Sequence, residues 1–410
     1  MIYLIVFLLM LMCVYVYDIR RHTNFYSFSY WGFFVILVII AGLRYRIGTD
    51  SIVYEGSYEN TPKLWELASF KFDSIRFEPG FIFFESITRS ISDEFMVFQF
   101  FHAIILNIVI FFFIKNNTNH RFIALSFYFL VLYLNLNMQV LREALAVSCF
   151  LLAWPFFRDG KWWLYYLLIA LACTFHTSAF FLLILPVFCL PGVRELFVIG
   201  KRTIIIGIAI LAVGFFIQSI FTEVFSVLAL TERMIDRVHT YANSDYAINR
   251  LNIVGVIITM MQYCLYPAVA LYFISKEHAK KTKTTKEKKE KRNFDRWELL
   301  TILGIYFVIF SIPIFIFGRY FNYFGLFCLI TVAKWAFTKL RFKKKIVVLN
   351  VGTWLLIFVP YYLLNFNTYM VSANKSGTLK AYMIYYPYNT RLNPERNSDR
   401  EALYRYLDAR

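Results

Sequence analysis

His176 stands in "CTFHTSAF", residues 173–180, with hydroxyls on both sides at Thr174, Thr177 and Ser178. Histidine titrates near neutrality, so it is the natural group to take a proton from a sugar hydroxyl. A lone histidine on an apolar face is more often a satisfied core residue. Two carboxylates are alternative bases. Asp50 ends "RIGTD" and Glu78 opens "EPGF". Their plainer roles are an Asx-turn for Asp50 and a helix-start carboxylate for Glu78. Three arginines, Arg44, Arg142 and Arg319, carry a second kind of chemistry. A guanidinium is a planar fork of donors that matches the oxygens of a phosphate group. Arg46, Tyr54, Ser178 and Tyr320 neighbour these residues, and Arg233 and Arg237 lie in an amphipathic run between residues 224 and 238.

The elements that must position these groups are apolar. Of the 410 residues 59% are hydrophobic and 20% aromatic, and mean hydropathy is +0.56. That exceeds what a soluble domain hides. The apolar residues come in blocks close to the length that crosses a hydrocarbon core of about 30 Å. The chain therefore reads as an all-α polytopic membrane protein, with candidate helices near 2–17, 28–43, 95–114, 121–135, 139–157, 162–175, 178–190, 202–222, 251–274, 297–317, 321–337 and 346–364. The first block lacks a small-residue cleavage site and reads as a helix rather than a signal peptide. The net charge of +17 is concentrated in 276–292 and 339–345. These are cytoplasmic loops under the positive-inside rule, not a nucleic-acid surface. The six cysteines lie in apolar runs without metal spacing.

Sidedness follows from the lysine run. With the loop 275–296 inside, 223–250 and 44–94 lie outside, and "RDGK" (158–161) lies inside. Residues 162–190 must then leave and return. A straight helix of that length would span about 42 Å and end on the wrong side. Two short helices meeting near His176 repair this, with Thr177 or Ser178 capping the returning one. The membrane domain spans 1–364, followed by a tail over 365–410. Arg44, Arg142 and Arg319 then end at the outer face, where the charge bias disfavours arginine. Lone arginines snorkel harmlessly, but several at one depth suggest a site for a lipid-borne phosphate. After Glu78, Phe81, Phe84, Ile87 and Ile91 form an apolar stripe and Glu85 pairs with Arg89, which predicts a short helix on the outer surface. Gly318 is expected to permit a tight corner before Arg319.

Some chemistry is absent from the sequence. It contains no Asp-x-Asp, no His-Glu-x-x-His, no P-loop and no Gly-x-Ser-x-Gly. No metal or other cofactor is expected. Few carboxylates fall within the spans, which weakens an ion-coupled transporter reading.

The ordered stretches "GLRYRIGTDSIVY", "FEPGF", "LREALA", "FHTSA" and "GRYF" resemble the EpsG family, which is grouped with the Wzy-type polysaccharide polymerases. Glu143 departs from the pattern, where a glutamine is expected beside the arginine. "YYPYNT" (385–390) also looks family-like, but the charged tail after it does not. The resemblance implies a glycosyltransferase C-like fold of about 12 transmembrane helices. It implies a metal-independent polymerase of exopolysaccharide, capsule or O-antigen at the outer face of the bacterial cytoplasmic membrane. Its substrate would be an oligosaccharide repeat unit on undecaprenyl diphosphate, joined when a hydroxyl of the next lipid-linked unit attacks the growing glycan. In this reading Arg44, Arg142 and Arg319 hold the diphosphate and His176, Asp50 or Glu78 is the base. A chain-length regulator and a flippase are candidate partners. A flippase of lipid-linked sugars and a membrane acyltransferase are the alternative functions.

Overall fold

A computed structural model describes residues 2–70, 77–197, 199–219, 253–284, 295–339, 359–366, 368–370 and 377–408. The amphipathic run with Arg233 and Arg237, the end of the lysine run from 285 to 292 and most of the expected helix 346–364 lie outside the described residues. Those described are helical, and the only β pairings among them are isolated bridges. Among the described residues, four helices are long and apolar enough to cross a membrane: Ile2–Ile19, Phe95–Asn117, Gly255–Lys276 and Phe315–Ala336. A bent pair from Thr177 to Phe197 counts as a fifth, and four shorter apolar helices join them. The chain is a multi-pass membrane protein.

The helices divide into two compact units, one of residues 1–186 with 365–409 and one of residues 187–364. The first unit contains α1 (Ile2–Cys13), α2 (Tyr26–Gly42), α3 (Ser51–Asn60), α4 (Pro79–Ile91), α5 (Phe95–Asn117), α6 (Arg121–Tyr128), α7 (Leu141–Asp159) and α8 (Trp162–Phe175). The core pairs are α2 with α5, α5 with α7 and α7 with α8. Apolar side chains alone give little drive for helices to associate in lipid, so hydrogen bonds help fix the pairing. Tyr30 donates to the Phe111 carbonyl at 2.8 Å, tying α2 to α5. The α6 helix continues through two π-helical turns, Phe129–Tyr133 and Asn135–Gln139. A buried amide network holds this distorted stretch: Asn107 donates to Asn137 at 2.7 Å, and Asn137 donates to the Tyr128 hydroxyl at 2.9 Å. Gly160, at φ 75°, ends α7 as expected of a left-handed C-terminal cap.

The break at His176 is present. The α8 helix ends at Phe175, and a 3-10 helix runs from Thr177 to Cys189. Tyr165 donates to the Leu182 carbonyl at 2.5 Å, clasping the two arms. Two groups accept backbone donors at this turn. The Nδ1 of His176 accepts the Ser178 backbone N–H at 3.1 Å, and Glu78 Oε1 accepts that of Thr177 at 3.4 Å.

The α4 helix also differs from expectation. Its buried face is Phe81, Ile82, Glu85 and Thr88, whereas Ile91 is exposed. It packs on α5 and α8 rather than lying loose on a surface. Gly80 permits the approach to α8, since a Cβ there would collide with Thr174. Glu85 turns inward, with Oε2 at 3.1 Å from the Ser57 hydroxyl and 2.8 Å from the Thr61 hydroxyl. Arg89 instead pairs with Asp93 at 3.5 Å. The desolvated hydroxyls of α3 thus outcompete an exposed i,i+4 pair for Glu85.

The second unit contains Lys201–Ser219, Gly255–Lys276, Arg296–Ser311 and Phe321–Lys339. Tyr306 donates to the Thr203 carbonyl at 2.9 Å. A 3-10 turn, Phe315–Tyr320, precedes Phe321. Gly318 is not needed there for its conformational freedom. Its φ lies outside the left-handed region, and a Cβ would meet only Ser311 at an ordinary 3.5 Å.

Candidate functional site

The densest meeting of the singled-out residues lies in the first unit, where α3, α4, α7 and the His176 break converge. Pro79 starts α4 and leaves Glu78 as the residue before it, in extended conformation. The Glu78 carboxylate does not cap its own helix. It reaches Arg142 in the first turn of α7, with Nη1 donating to Oε2 at 2.6 Å. Its other oxygen accepts the Thr177 N–H. One carboxylate therefore joins "FEPGF", "LREALA" and "FHTSA", stretches separated by up to 99 residues. The Arg142 guanidinium lies 4.4 Å from the Phe77 ring centroid, and Tyr54 is its leading electrostatic neighbour beside Glu78. Tyr54 is buried, and burial pushes its hydroxyl up to about 12. A cluster of Tyr58, Phe77, Phe81, Phe95, Phe98 and Leu141 backs these groups. It keeps water from the guanidinium, which strengthens its interaction with any negative charge.

The imidazole of His176 is oriented by the same break. Nδ1 accepts the Ser178 backbone N–H and lies 2.6 Å from the Ser178 hydroxyl. A backbone N–H only donates, so Nδ1 holds the lone pair and the neutral ring carries its hydrogen on Nε2. In that tautomer His176 presents a donor rather than a base. Asp50 is exposed and precedes α3, and its backbone carbonyl accepts the Tyr54 N–H at 3.0 Å. Its carboxylate accepts from Thr49 at 3.3 Å and makes no side-chain cap to α3. Electrostatically it acts on Tyr54.

Glu85 is a titratable group that sequence reasoning placed on the wrong face. Burial pushes its carboxyl up to about 8, with the Thr61 and Ser57 hydroxyls opposing. The hydroxyl of Thr61 also lies 2.9 Å from the Ser57 carbonyl. Thr61 has one hydrogen to give. A neutral Glu85 that donates to Thr61, while Thr61 donates to the Ser57 carbonyl, satisfies the chain.

Arg44 and Arg142 both belong to the first unit but have different hydrogen-bond partners. Arg44 is fully buried and donates through Nη1 to the Ala41 carbonyl at the end of α2. The C-terminal segment lies against it: Tyr45 N–H donates to the Asn389 carbonyl at 2.9 Å, Arg391 N–H to the Leu43 carbonyl at 2.8 Å, and Arg44 bridges to Thr390. Glu55 accepts from Arg46 Nε at 3.3 Å and from Arg391, whose guanidinium sits over the Tyr45 ring. Arg400, 2% exposed, donates to the Met383 and Pro387 carbonyls. Residues after 390, the charged tail without a family-like pattern, thus pack on the "GLRYRIGTD" stretch. Arg319 and Tyr320 belong to the second unit, where Arg319 is exposed and Tyr320 stacks on Phe307 at 4.6 Å. Glu143 is buried beside Arg142. No group of three or more potential metal ligands occurs among the described residues.

The sequence signal for Glu85 and His102 was available but weak. Gln99, His102 and Asn107 are buried polar residues in the otherwise apolar α5, and polar residues inside a span are candidates for function or pairing. Nothing in the spacing pointed to Arg391.

No curated protein and no solved structure matches the chain. A family model described as the EpsG family matches residues 27–390, a range that contains every ordered stretch named above and ends one residue short of Arg391. With Glu78 joining three of those stretches at one place, the chain belongs to the EpsG family.

Proposed function

We propose that the protein is a Wzy-type polysaccharide polymerase that joins lipid-diphosphate-linked oligosaccharide units at the outer face of the bacterial cytoplasmic membrane. The observation that carries this reading is the Glu78–Arg142 pair at 2.6 Å, fastened to the turn after His176. A diphosphate leaving group needs positive charge, and a guanidinium supplies it without a metal. When the diphosphate takes the Arg142 fork, Glu78 loses its cation and becomes a better base. It then accepts the proton of the acceptor hydroxyl as the new glycosidic bond forms and the lipid diphosphate departs. His176, with its hydrogen on Nε2, serves in this scheme as a donor to a substrate oxygen, and Asp50 is the alternative base. Arg44 and Arg319 are assigned to diphosphate as well, and about 12 spans in a glycosyltransferase C-like arrangement remain part of this reading.

The test is in vitro assembly on a defined lipid-linked repeat unit, read as turnover per folded molecule. Glu78→Gln should bind substrate and transfer glycan about 10²-fold more slowly or worse, the scale of a positioned base. His176→Ala should be less impaired than Glu78→Gln. If Glu78→Gln works at the wild-type rate while Asp50→Asn is inactive, Asp50 is the base. Normal rates from all variants, with lipid-linked sugar still crossing the membrane, would support a flippase instead.

A further inference from the structure

Asp50 is anchored from parts of the chain remote in sequence. Gly48 adopts φ 105°, and a Cβ there would collide with the Met138 carbonyl. That close approach sets the turn after α2 against the π-helical stretch Asn135–Gln139. Thr49 then lies within reach of Gln139, whose Nε2 donates to the Thr49 hydroxyl at 3.2 Å. Thr49 passes its own hydrogen to Asp50 Oδ1 at 3.3 Å. From the C-terminal segment, the Tyr385 hydroxyl donates to Gln139 Oε1 at 2.6 Å. Tyr385, Gln139, Thr49 and Asp50 therefore form one line of hydrogen bonds across three separate stretches of the chain.

Every link in this line points the same way. A side-chain amide accepts at its oxygen and donates at its nitrogen, so the group that meets one end fixes what the other end presents. Tyr385 gives its hydrogen to Oε1, which leaves the Nε2 donors for Thr49. With a donor already on its oxygen, Thr49 has its hydrogen for the carboxylate. Burial, followed by Tyr369, Tyr3, Tyr404 and Asp50, holds the Tyr385 hydroxyl well above its ordinary range, so it stays protonated and keeps donating. Without that hydroxyl the amide can turn over, and Thr49 would then donate to Oε1 rather than to Asp50. The Asp50 charge also acts on Tyr54 and on Tyr404, a second tyrosine of the C-terminal segment.

We propose that Tyr385 and Gln139 are positioning residues for Asp50, which they hold as a hydrogen-bond acceptor for a hydroxyl of the incoming sugar. Asp50 is exposed, so a hydroxyl from solution can reach it. An ionised carboxylate only accepts, and it accepts more hydrogen bonds than the one Thr49 supplies. A hydroxyl bound to a carboxylate makes a charge-assisted bond, stronger than a bond between neutral groups. Asp50 has its own partners, distinct from those of Glu78, which are Arg142 and the Thr177 N–H. That the hydroxyl belongs to the unit about to be joined rests on the polymerase reading, whereas the line of bonds does not. The C-terminal segment thereby becomes part of the acceptor site through Tyr385.

The experiment uses the full chain in lipid nanodiscs with a defined lipid-linked repeat unit. Polymer assembly is measured with the glycan donor saturating and the acceptor unit varied. Binding of that unit is read separately, from the rise it causes in the thermal unfolding midpoint. Tyr385→Phe removes one hydroxyl, and it should raise the KM for the acceptor unit about tenfold, the scale of one hydrogen bond to a charged group. Its kcat should stay within about threefold of wild type, as expected when binding rather than chemistry is weakened. Thr49→Val should act alike, and Thr49→Ser, which keeps the hydroxyl, should keep the wild-type KM. In an Asp50→Ala background Tyr385→Phe should change KM no further, because the line then orients nothing. Should Tyr385→Phe fail to fold, Thr49→Val and Gln139→Leu carry the test. If the effects of Tyr385→Phe and Asp50→Ala multiply and the midpoint without ligand falls, Tyr385 serves packing alone and the proposal is overturned. Unchanged KM in Tyr385→Phe and Thr49→Val also overturns it, while polymer assembly by these variants leaves the polymerase reading in place. A wild-type protein that makes no polymer yet binds the unit, with binding weakened about tenfold by Tyr385→Phe, removes the polymerase reading and leaves the positioning role. A wild-type protein that neither joins nor binds the unit overturns both.

Discussion

A carboxylate can be a cap, a counter-ion or a base, and its partners decide which. Glu78 precedes a proline at a helix start, a position usually explained by helix geometry alone. Here it holds Arg142 and a backbone N–H from the His176 turn at the same time. Arg142→Lys tests the fork separately from the charge, because lysine keeps the cation but not the paired donors. Polymer formation should fall by about 10²-fold or more while the protein still inserts. Full polymer production from that variant would remove Arg142 from the mechanism. Glu85 makes a prediction of the opposite kind. Its folded carboxyl is raised from 4.5 to about 8, so between those values the folded state holds a proton that the unfolded state has lost. Stability should therefore be greatest at low pH and fall as pH rises through that window. Glu85→Gln keeps a neutral donor for Thr61. It should flatten the pH dependence of the unfolding midpoint between about pH 5 and 8, and an unchanged slope would show that Glu85 is ionised when folded.

At the scale of elements, two turns decide where these side chains go. The turn after α2 passes through Arg46 at φ 48° and Gly48 at φ 105°. A Cβ on Gly48 would run into the Met138 carbonyl in the π-helical stretch before α7. Gly48→Ala therefore combines a strained φ with a backbone collision. It should cost more than about 1 kcal/mol and lower the unfolding midpoint. An unchanged midpoint would mean that the turn and the π-helical stretch do not meet as described. The second turn is the His176 break, where the imidazole and Glu78 cap a 3-10 helix. Thirteen residues make that helix unusually long for its type. The two arms are also clasped by Tyr165, which offsets the poorer hydrogen-bond geometry.

For the whole molecule, the open prediction is sidedness. The Glu78–Arg142 pair works on an extracytoplasmic substrate only if residues 44–94 face outward while the lysine-rich loop 275–296 stays inside. Single cysteines at Ser57 and Thr284, in a background without the six native ones, should label differently with an impermeant maleimide on intact cells. Ser57 should react and Thr284 should not, and the reverse result would reject the topology. The C-terminal residues belong to the same question. Tyr404 donates to the Arg46 carbonyl at 3.3 Å, so the side that holds the "GLRYRIGTD" turn must also hold the C-terminal helix Ser398–Asp408.

Hydropathy and local geometry made several features legible from the chain alone. The apolar blocks dictated a polytopic helical protein because lipid leaves unpaired backbone groups no other partner. The length of 162–190 dictated a break near His176, and Pro79 dictated a helix start beside Glu78. The five ordered stretches pointed to the family. Tertiary structure decided what those residues touch. Periodicity placed Glu85 beside Arg89, but Ser57 in α3 and Thr61 just after it took it inward. Spacing could not show that Glu78 spans 64 residues to Arg142, because a long-range pair leaves no local pattern. The charged tail showed no family-like pattern, and charge in a sequence reads as solvation. Packed against the end of α2, Arg391 instead shares Glu55 with Arg46, and Arg400 closes on backbone carbonyls. A charged side chain is buried or exposed according to partners brought from elsewhere in the chain, and only the folded arrangement supplies them.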